Sequence, residues 1–252
     1  MIVNAQTRQN HGRPAVSFVA SLALAVAALG SCSSTAGLAI RADRSAVLSV
    51  SVDFPAAVEA RLRSLSGAGA SSGVPRPLVD SSAVSAAALS RGMSVVESAT
   101  PDARSYRGAF SIGNLEGFVS SDPDLAASGA LTFARGPGWA SLTVMVTRAN
   151  AAAVVGLFPG IDEELLEALS PPALYDLPVT VAEYRSMLAA LLGRAAAEAI
   201  DASAFSLSIT VPGPIMRSEG GVASGRTLGF SMPALDAMTL EEDVRLFIQW
   251  KE

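Results

Sequence analysis

Apolar and polar residues alternate along several stretches of this chain, which is the pattern of half-buried β-strands. Within residues 46–54, every second residue from Leu48 to Phe54 is apolar, and the residues between them are polar. The same period of two runs through residues 205–211 and residues 244–250. These stretches predict strands near both ends of the chain.

Helical periodicity fills much of the middle. In residues 181–199, apolar side chains recur at steps of three and four, which predicts one helix with a single apolar face. Pro55 predicts a helix over residues 56–65, since proline suits a first helical turn, and Asp80 predicts the N-cap of the helix that follows it. The same signals predict further strands at residues 38–42, 93–100, 106–112, 131–135, 140–148 and 227–232. They predict further helices at residues 81–91, 149–157 and 162–169. Hairpin turns are predicted at residues 43–45, 136–138 and 219–221.

This order of elements, with strands at both ends around a helical centre, predicts the fold class. We expect an α+β protein with a mixed, mainly antiparallel sheet and several helices packed against it.

The first 31 residues have the pattern of a targeting segment. Arg8 and Arg13 precede an apolar run from Ala15 to Leu29, and the first acidic residue is Asp43. The run is shorter than the roughly 20 residues that a membrane-spanning helix needs, and its length is typical of a signal peptide. An uncleaved anchor helix is the alternative.

Leu29, Gly30, Ser31 and Cys32 end this apolar run, and Cys32 is the one cysteine of the chain. Together they resemble a lipobox, the sequence at which bacterial lipoproteins receive a diacylglyceryl group on the cysteine and are cut just before it. The resemblance implies lipidation of Cys32, with Leu29, Gly30 and Ser31 as the signal-peptidase recognition sequence. The small residues Gly30 and Ser31 suit a backbone that lies in a peptidase groove.

Cleavage at this point divides the chain into a signal peptide (1–31), a lipidated tether (32–37) and a single soluble domain (38–252). Two of the 18 basic residues and none of the 23 acidic residues are removed, so the mature charge is 16 − 23 = −7. An acidic surface argues against nucleic acid as a partner and against a polybasic membrane patch. We therefore expect membrane contact through the lipid anchor.

Histidine is missing from the predicted mature chain, because His11 lies in the signal peptide. Nucleophilic schemes of the Ser-His-Asp or Cys-His kind then lack their base. Most zinc and copper sites lack their ligands for the same reason. We expect no catalytic residue, no metal and no cofactor, and hence a protein that is not an enzyme.

Acidic clusters at residues 162–167 and 241–243 are the remaining candidates for chemistry. The functional alternative is a calcium site or the carboxylate pair of a glycan hydrolase. The structural alternative, which we expect, is a solvated face, with the first cluster at the positive end of a helix dipole.

Proline-broken short helices between residues 157 and 177 carry a group of apolar side chains. Such a group lines a groove for a lipid tail, a peptide or a second subunit, or it packs over the sheet as core. The candidate groove residues are Phe158, Leu165, Leu166, Leu169 and Tyr175.

A predicted hairpin lies shortly after Cys32. Later in the chain come the run Ser-Ile-Thr-Val-Pro-Gly at residues 208–213, the turn at Gly220-Gly221 and a last strand that ends in Trp250. In this arrangement the chain resembles LppM-type bacterial lipoproteins. The resemblance implies an envelope-anchored module with a mixed sheet-and-helix fold, and it supplies no catalytic residues.

The expected function is that of a non-enzymatic lipoprotein of the bacterial cell envelope, anchored through Cys32, whose soluble domain binds an apolar ligand or an envelope protein. Ser33, in place of an aspartate after the cysteine, favours the outer membrane or cell surface in a Gram-negative cell. Two alternatives are an assembly partner of an envelope complex and a glycan hydrolase. The hydrolase would need aromatic side chains for stacking, and the chain has two tryptophans and three tyrosines.

Overall fold

A computed structural model of the protein describes residues 33–65, 76–121, 123–155 and 169–252. In these residues two β-sheets are packed with helices, which confirms the α+β prediction. The strands are β1 (Ser33–Ile40), β2 (Ala46–Asp53), β3 (Ser94–Asp102), β4 (Ser105–Ile112), β5 (Leu131–Gly136), β6 (Trp139–Val146), β7 (Ala204–Thr210), β8 (Ile215–Glu219), β9 (Val222–Ser224), β10 (Thr227–Pro233) and β11 (Val244–Lys251). The helices are α1 (Ala56–Leu65), α2 (Ser81–Ser90), α3 (Leu115–Ser121), α4 (Pro123–Ser128), α5 (Arg148–Val155), α6 (Val181–Leu192), α7 (Arg194–Asp201) and α8 (Ala234–Thr239), with a 3₁₀ helix at Pro172–Tyr175.

The larger sheet has seven strands in the order β3-β4-β2-β1-β7-β10-β9. Neighbouring strands are antiparallel except for β1 and β7, which are parallel. The predicted hairpin of β1 and β2 is confirmed, and the Asp43 carboxylate accepts a hydrogen bond from the backbone N–H of Ser45 in its turn.

β1 begins at Ser33 rather than at Leu38, so residues 33–37, predicted to be a tether, are strand in the structure. The alternation continues there in small side chains, with Ser34 and Ala36 buried on the inner face. Small residues carry little apolar signal, which is why the sequence did not show the strand. Pairing with β2 on one side and β7 on the other holds this segment in the sheet.

The smaller sheet has four antiparallel strands in the order β5-β6-β11-β8. The prediction that residues 219–221 join a simple hairpin is wrong, because β8 pairs with β11 and β9 pairs with β10 of the other sheet. Gly220 makes the crossing possible. Its φ is +78°, and a Cβ there would lie 1.9 Å from the carbonyl oxygen of Arg245.

The single helix predicted over residues 181–199 is also corrected, because it is two helices divided at Gly193. Gly193 has φ +86° and ψ 159°, a conformation that is essentially restricted to glycine. The apolar spacing of three and four continues across the break, so periodicity alone cannot reveal it.

Buried side chains from both sheets and from the helices form one hydrophobic core. Helix α8 was not predicted, although all of its residues except Asp236 are buried and Leu235, Ala237 and Met238 belong to this core. In the described part of the chain, no helix is long and apolar enough to span a membrane.

Candidate functional site

The predicted lipidation site Cys32 and its recognition residues Leu29, Gly30 and Ser31 lie outside the described residues. Its neighbour Ser33 is the first residue of β1 and pairs with Asp53 of β2. The Asp53 carboxylate accepts hydrogen bonds from the Arg107 guanidinium at 3.0 and 3.2 Å. The end of the seven-stranded sheet nearest residue 32 therefore carries a charge pair at its surface.

The predicted apolar groove is described in only two of its five residues, since Phe158, Leu165 and Leu166 lie outside the described ranges. Leu169 is 1% exposed, and its carbonyl oxygen accepts a hydrogen bond of 2.7 Å from the Tyr184 hydroxyl. Tyr175 is 56% exposed. Leu169 thus belongs to the core and Tyr175 to the surface, while the groove as a whole stays a prediction.

Of the two predicted acidic clusters, the structure describes only the second. Residues 162–167 lie outside the described residues. Glu241, in the second cluster, accepts a hydrogen bond from the backbone N–H of Val181 at the start of α6. That N–H has no partner within its own helix, so Glu241 stabilises the helix terminus. Among the residues that the structure describes, no group of three or more His, Cys, Asp or Glu side chains could hold a metal ion.

A groove runs along the open edge of β10. Strand β9 pairs with β10 only from Thr227 to Gly229, so among the described strands none lies beside Phe230 and Met232 on that side. The cavity next to this edge has a volume of about 520 Å³. Half-buried apolar side chains form its floor, and four carboxylates and one arginine line its rim: Val181, Phe230, Met232 and Val244, then Asp236, Glu241, Glu242, Asp243 and Arg245.

Burial raises the pKa of Asp236 above its usual value of 3.8, and the neighbouring carboxylate of Glu241 raises it further. The positive charge of Arg185 lowers the pKa, but its effect is smaller than that of burial and smaller than that of Glu241. The carboxylates at this rim therefore repel one another. An apolar floor with a carboxylate rim suits a ligand that has an apolar body and a positive or hydrogen-donating group.

Hydroxyl groups cover the outer face of the same sheet next to the groove. Ser206 and Ser231 form a hydrogen bond of 3.1 Å across β7 and β10, and Thr210 and Thr227 form one of 2.9 Å. A shallow cavity of about 500 Å³ lies on this face and shares Phe230 with the groove. Neither cavity was predicted from the sequence, because both depend on where β9 begins rather than on a local motif.

The described residues thus define an α+β protein with two sheets and a groove at a sheet edge. No protein-family model matches the chain, and no curated protein matches it. Among solved structures, the chain is similar to the folded domain of LppM from Mycobacterium tuberculosis, at 9% sequence identity over 88% of this chain and 90% of that one, with a TM-score of 0.39.

Proposed function

We propose that the protein is a non-enzymatic lipoprotein of the bacterial envelope, anchored through a lipid on Cys32, and that its α+β domain binds an apolar ligand or an envelope partner. The observation that carries the proposal is the position of β1. Ser33, the residue directly after the lipobox cysteine, lies in this strand of the folded sheet.

This position has a geometric consequence for the anchor. One residue of extended chain spans at most about 3.6 Å, so acyl chains on Cys32 would hold the start of β1 close to the lipid headgroups. Ser33 pairs with Asp53, and Ser34 pairs with Phe205 of β7. The whole end of the seven-stranded sheet would then face the bilayer, and the domain would have little freedom to swing away.

The energetics of lipidation support the same interpretation. Each buried methylene of an acyl chain contributes about 0.8 kcal/mol, and two or more chains give stable attachment. The mature chain has a net charge of −7, obtained as 16 − 23, so an anionic membrane surface would repel it. Attachment would therefore depend on the acyl chains.

The groove beside β10 supports a binding role for the anchored domain. Phe230 and Met232 are half-buried with no described strand beside them on that side. A cavity of about 520 Å³ lies within the size range of small-molecule sites.

The test is the replacement of Cys32 by Ala in cells of a lipoprotein-processing bacterium. We expect the variant to lose labelled palmitate and to leave the membrane fraction. Ser33→Ala is the matched control, because it changes the adjacent exposed residue and keeps the cysteine. Undiminished palmitate labelling of Cys32→Ala would contradict the proposal.

A further inference from the structure

A small, partly open cavity lies where the turn after β1 meets the four-stranded sheet. Arg41 and Arg44 reach it from the β1–β2 turn, Arg135 from β5, and Trp250 from β11. The cavity volume is about 10 Å³, which is room for one occupant the size of a water molecule. This cavity is separate from the groove beside β10, with which it shares no residue.

Two buried hydrogen-bond donors at this cavity have no partner among the described residues. Both belong to residues that line the cavity: the indole Nε1–H of Trp250, a residue that is 1% exposed, and the Nε–H of Arg135. Buried N–H groups in folded proteins are nearly always paired. Neither an indole nor a guanidinium can accept a hydrogen bond, so the partner of these two groups must be an acceptor.

The two donors are held in place by aromatic packing. The Phe133 ring meets the Trp250 ring edge-on, with 5.7 Å between ring centroids. The Arg135 guanidinium lies 5.7 Å from the same Phe133 ring. An acceptor that enters the cavity therefore meets donors that are already positioned.

Charge at the cavity favours an anionic acceptor. Arg135 pairs with Glu252 at 3.0 Å and with Glu116 at 3.7 Å. Neither Arg41 nor Arg44 forms a salt bridge to a described residue. Three guanidinium and two carboxylate side chains line the cavity, a side-chain balance of 3 − 2 = +1, whereas the side chains of the whole chain sum to −5.

The backbone at Arg44 is also unusual. Its φ is +70°, a left-handed conformation that non-glycine residues rarely adopt. The carbonyl oxygen of Arg44 accepts a hydrogen bond of 3.0 Å from the backbone N–H of Leu115, which holds the turn against α3. The turn is thus fixed in a conformation that places an arginine at the cavity.

We propose that this cavity binds a small inorganic anion, one atom of which accepts hydrogen bonds from Trp250 Nε1 and Arg135 Nε. A halide ion or a single oxygen of phosphate has this chemistry. The bound anion would join the turn of the seven-stranded sheet to two strands of the four-stranded sheet, and it would stabilise the folded state by mass action.

The test is a titration of the purified full chain with sodium chloride and, separately, with sodium phosphate. Sodium gluconate, whose carboxylate is attached to a bulky polyhydroxylated chain, keeps the ionic strength constant. The readouts are the melting temperature and, in a Trp139→Phe background, the fluorescence of Trp250. We expect a saturable change in both readouts, and the anion that produces it identifies a halide or an oxyanion site.

Two variants make the test specific. Arg41→Gln combined with Arg44→Gln should weaken the apparent affinity about tenfold or more, since the attraction of two positive charges for the anion is lost. Arg194→Gln changes an exposed arginine away from the cavity and should bind as the parent does. If chloride, phosphate and gluconate have the same effect at equal ionic strength, the proposal is overturned and a water molecule pairs the two donors. Equal weakening by Arg194→Gln would overturn it too.

Discussion

Substitution of Gly193 by Ala distinguishes two helices divided at this residue from one continuous helix over residues 181–199. The two arrangements predict changes of opposite sign in the free energy of unfolding. Gly193 joins α6 to α7 with φ +86° and ψ 159°. An alanine held in this region costs of order 1–3 kcal/mol. If residues 181–199 formed one continuous helix, the same substitution would instead stabilise the protein by about 0.5–1 kcal/mol, the helix-propensity difference between glycine and alanine.

The loss of stability expected for Gly193→Ala includes no clash with neighbouring residues. A Cβ built on Gly193 meets no atom within 4 Å, so the expected loss of 1–3 kcal/mol comes from the backbone alone. Gly113 is the matched control, because a Cβ there also meets nothing and its φ is outside the left-handed region. Gly113→Ala should leave stability unchanged or raise it by about 0.4–1 kcal/mol through the unfolded chain.

The assay is urea unfolding of the purified protein, followed by far-UV circular dichroism. We expect the Gly193→Ala midpoint to fall with an unchanged slope, since the surface exposed on unfolding is the same. A Gly193→Ala protein as stable as Gly113→Ala, or more stable than the parent, would refute the reasoning and favour the continuous helix.

Two further substitutions test the core and the groove. Tyr184→Phe removes the buried hydroxyl that donates to the Leu169 carbonyl, and we expect a loss of about 1–3 kcal/mol in urea unfolding. Tyr175→Phe, at an exposed residue, should change stability by less than about 0.5 kcal/mol, and equal effects would contradict the assigned contact. The pKa of Asp236 is raised above 3.8, so the folded state binds this proton more tightly than the unfolded chain. Its stabilising contribution is full below pH 3.8 and is lost as pH rises through the folded pKa. Asp236→Asn should therefore have a higher melting temperature than the parent at pH 7 and lose that advantage below pH 3.8. A difference in melting temperature that is the same at both pH values would contradict the raised pKa.

Local signals in the sequence were sufficient for many elements. The helix predicted after Pro55 is α1 with the same bounds, 56–65. Asp80 caps α2 by accepting hydrogen bonds from the backbone N–H groups of Ser82 and Ala83. In both cases the information lies within a few residues of the helix start.

Features that depend on distant parts of the chain could not be predicted in the same way. Whether β9 joins β8 or β10 is decided by a crossing at Gly220 and by packing of two sheets, neither of which has a local pattern. The groove beside Phe230 exists because β9 begins only at Val222, which pairs with Gly229. The cavity at Trp250 combines residues from a turn and two strands that are far apart in sequence.

Lipid anchoring is tested most directly by the mass of the N-terminal peptide of the protein isolated from its native cells. We expect a peptide that begins at Cys32 and carries a diacylglyceryl group on its thiol. A native N-terminus at Met1, or at any residue beyond Cys32, would contradict it.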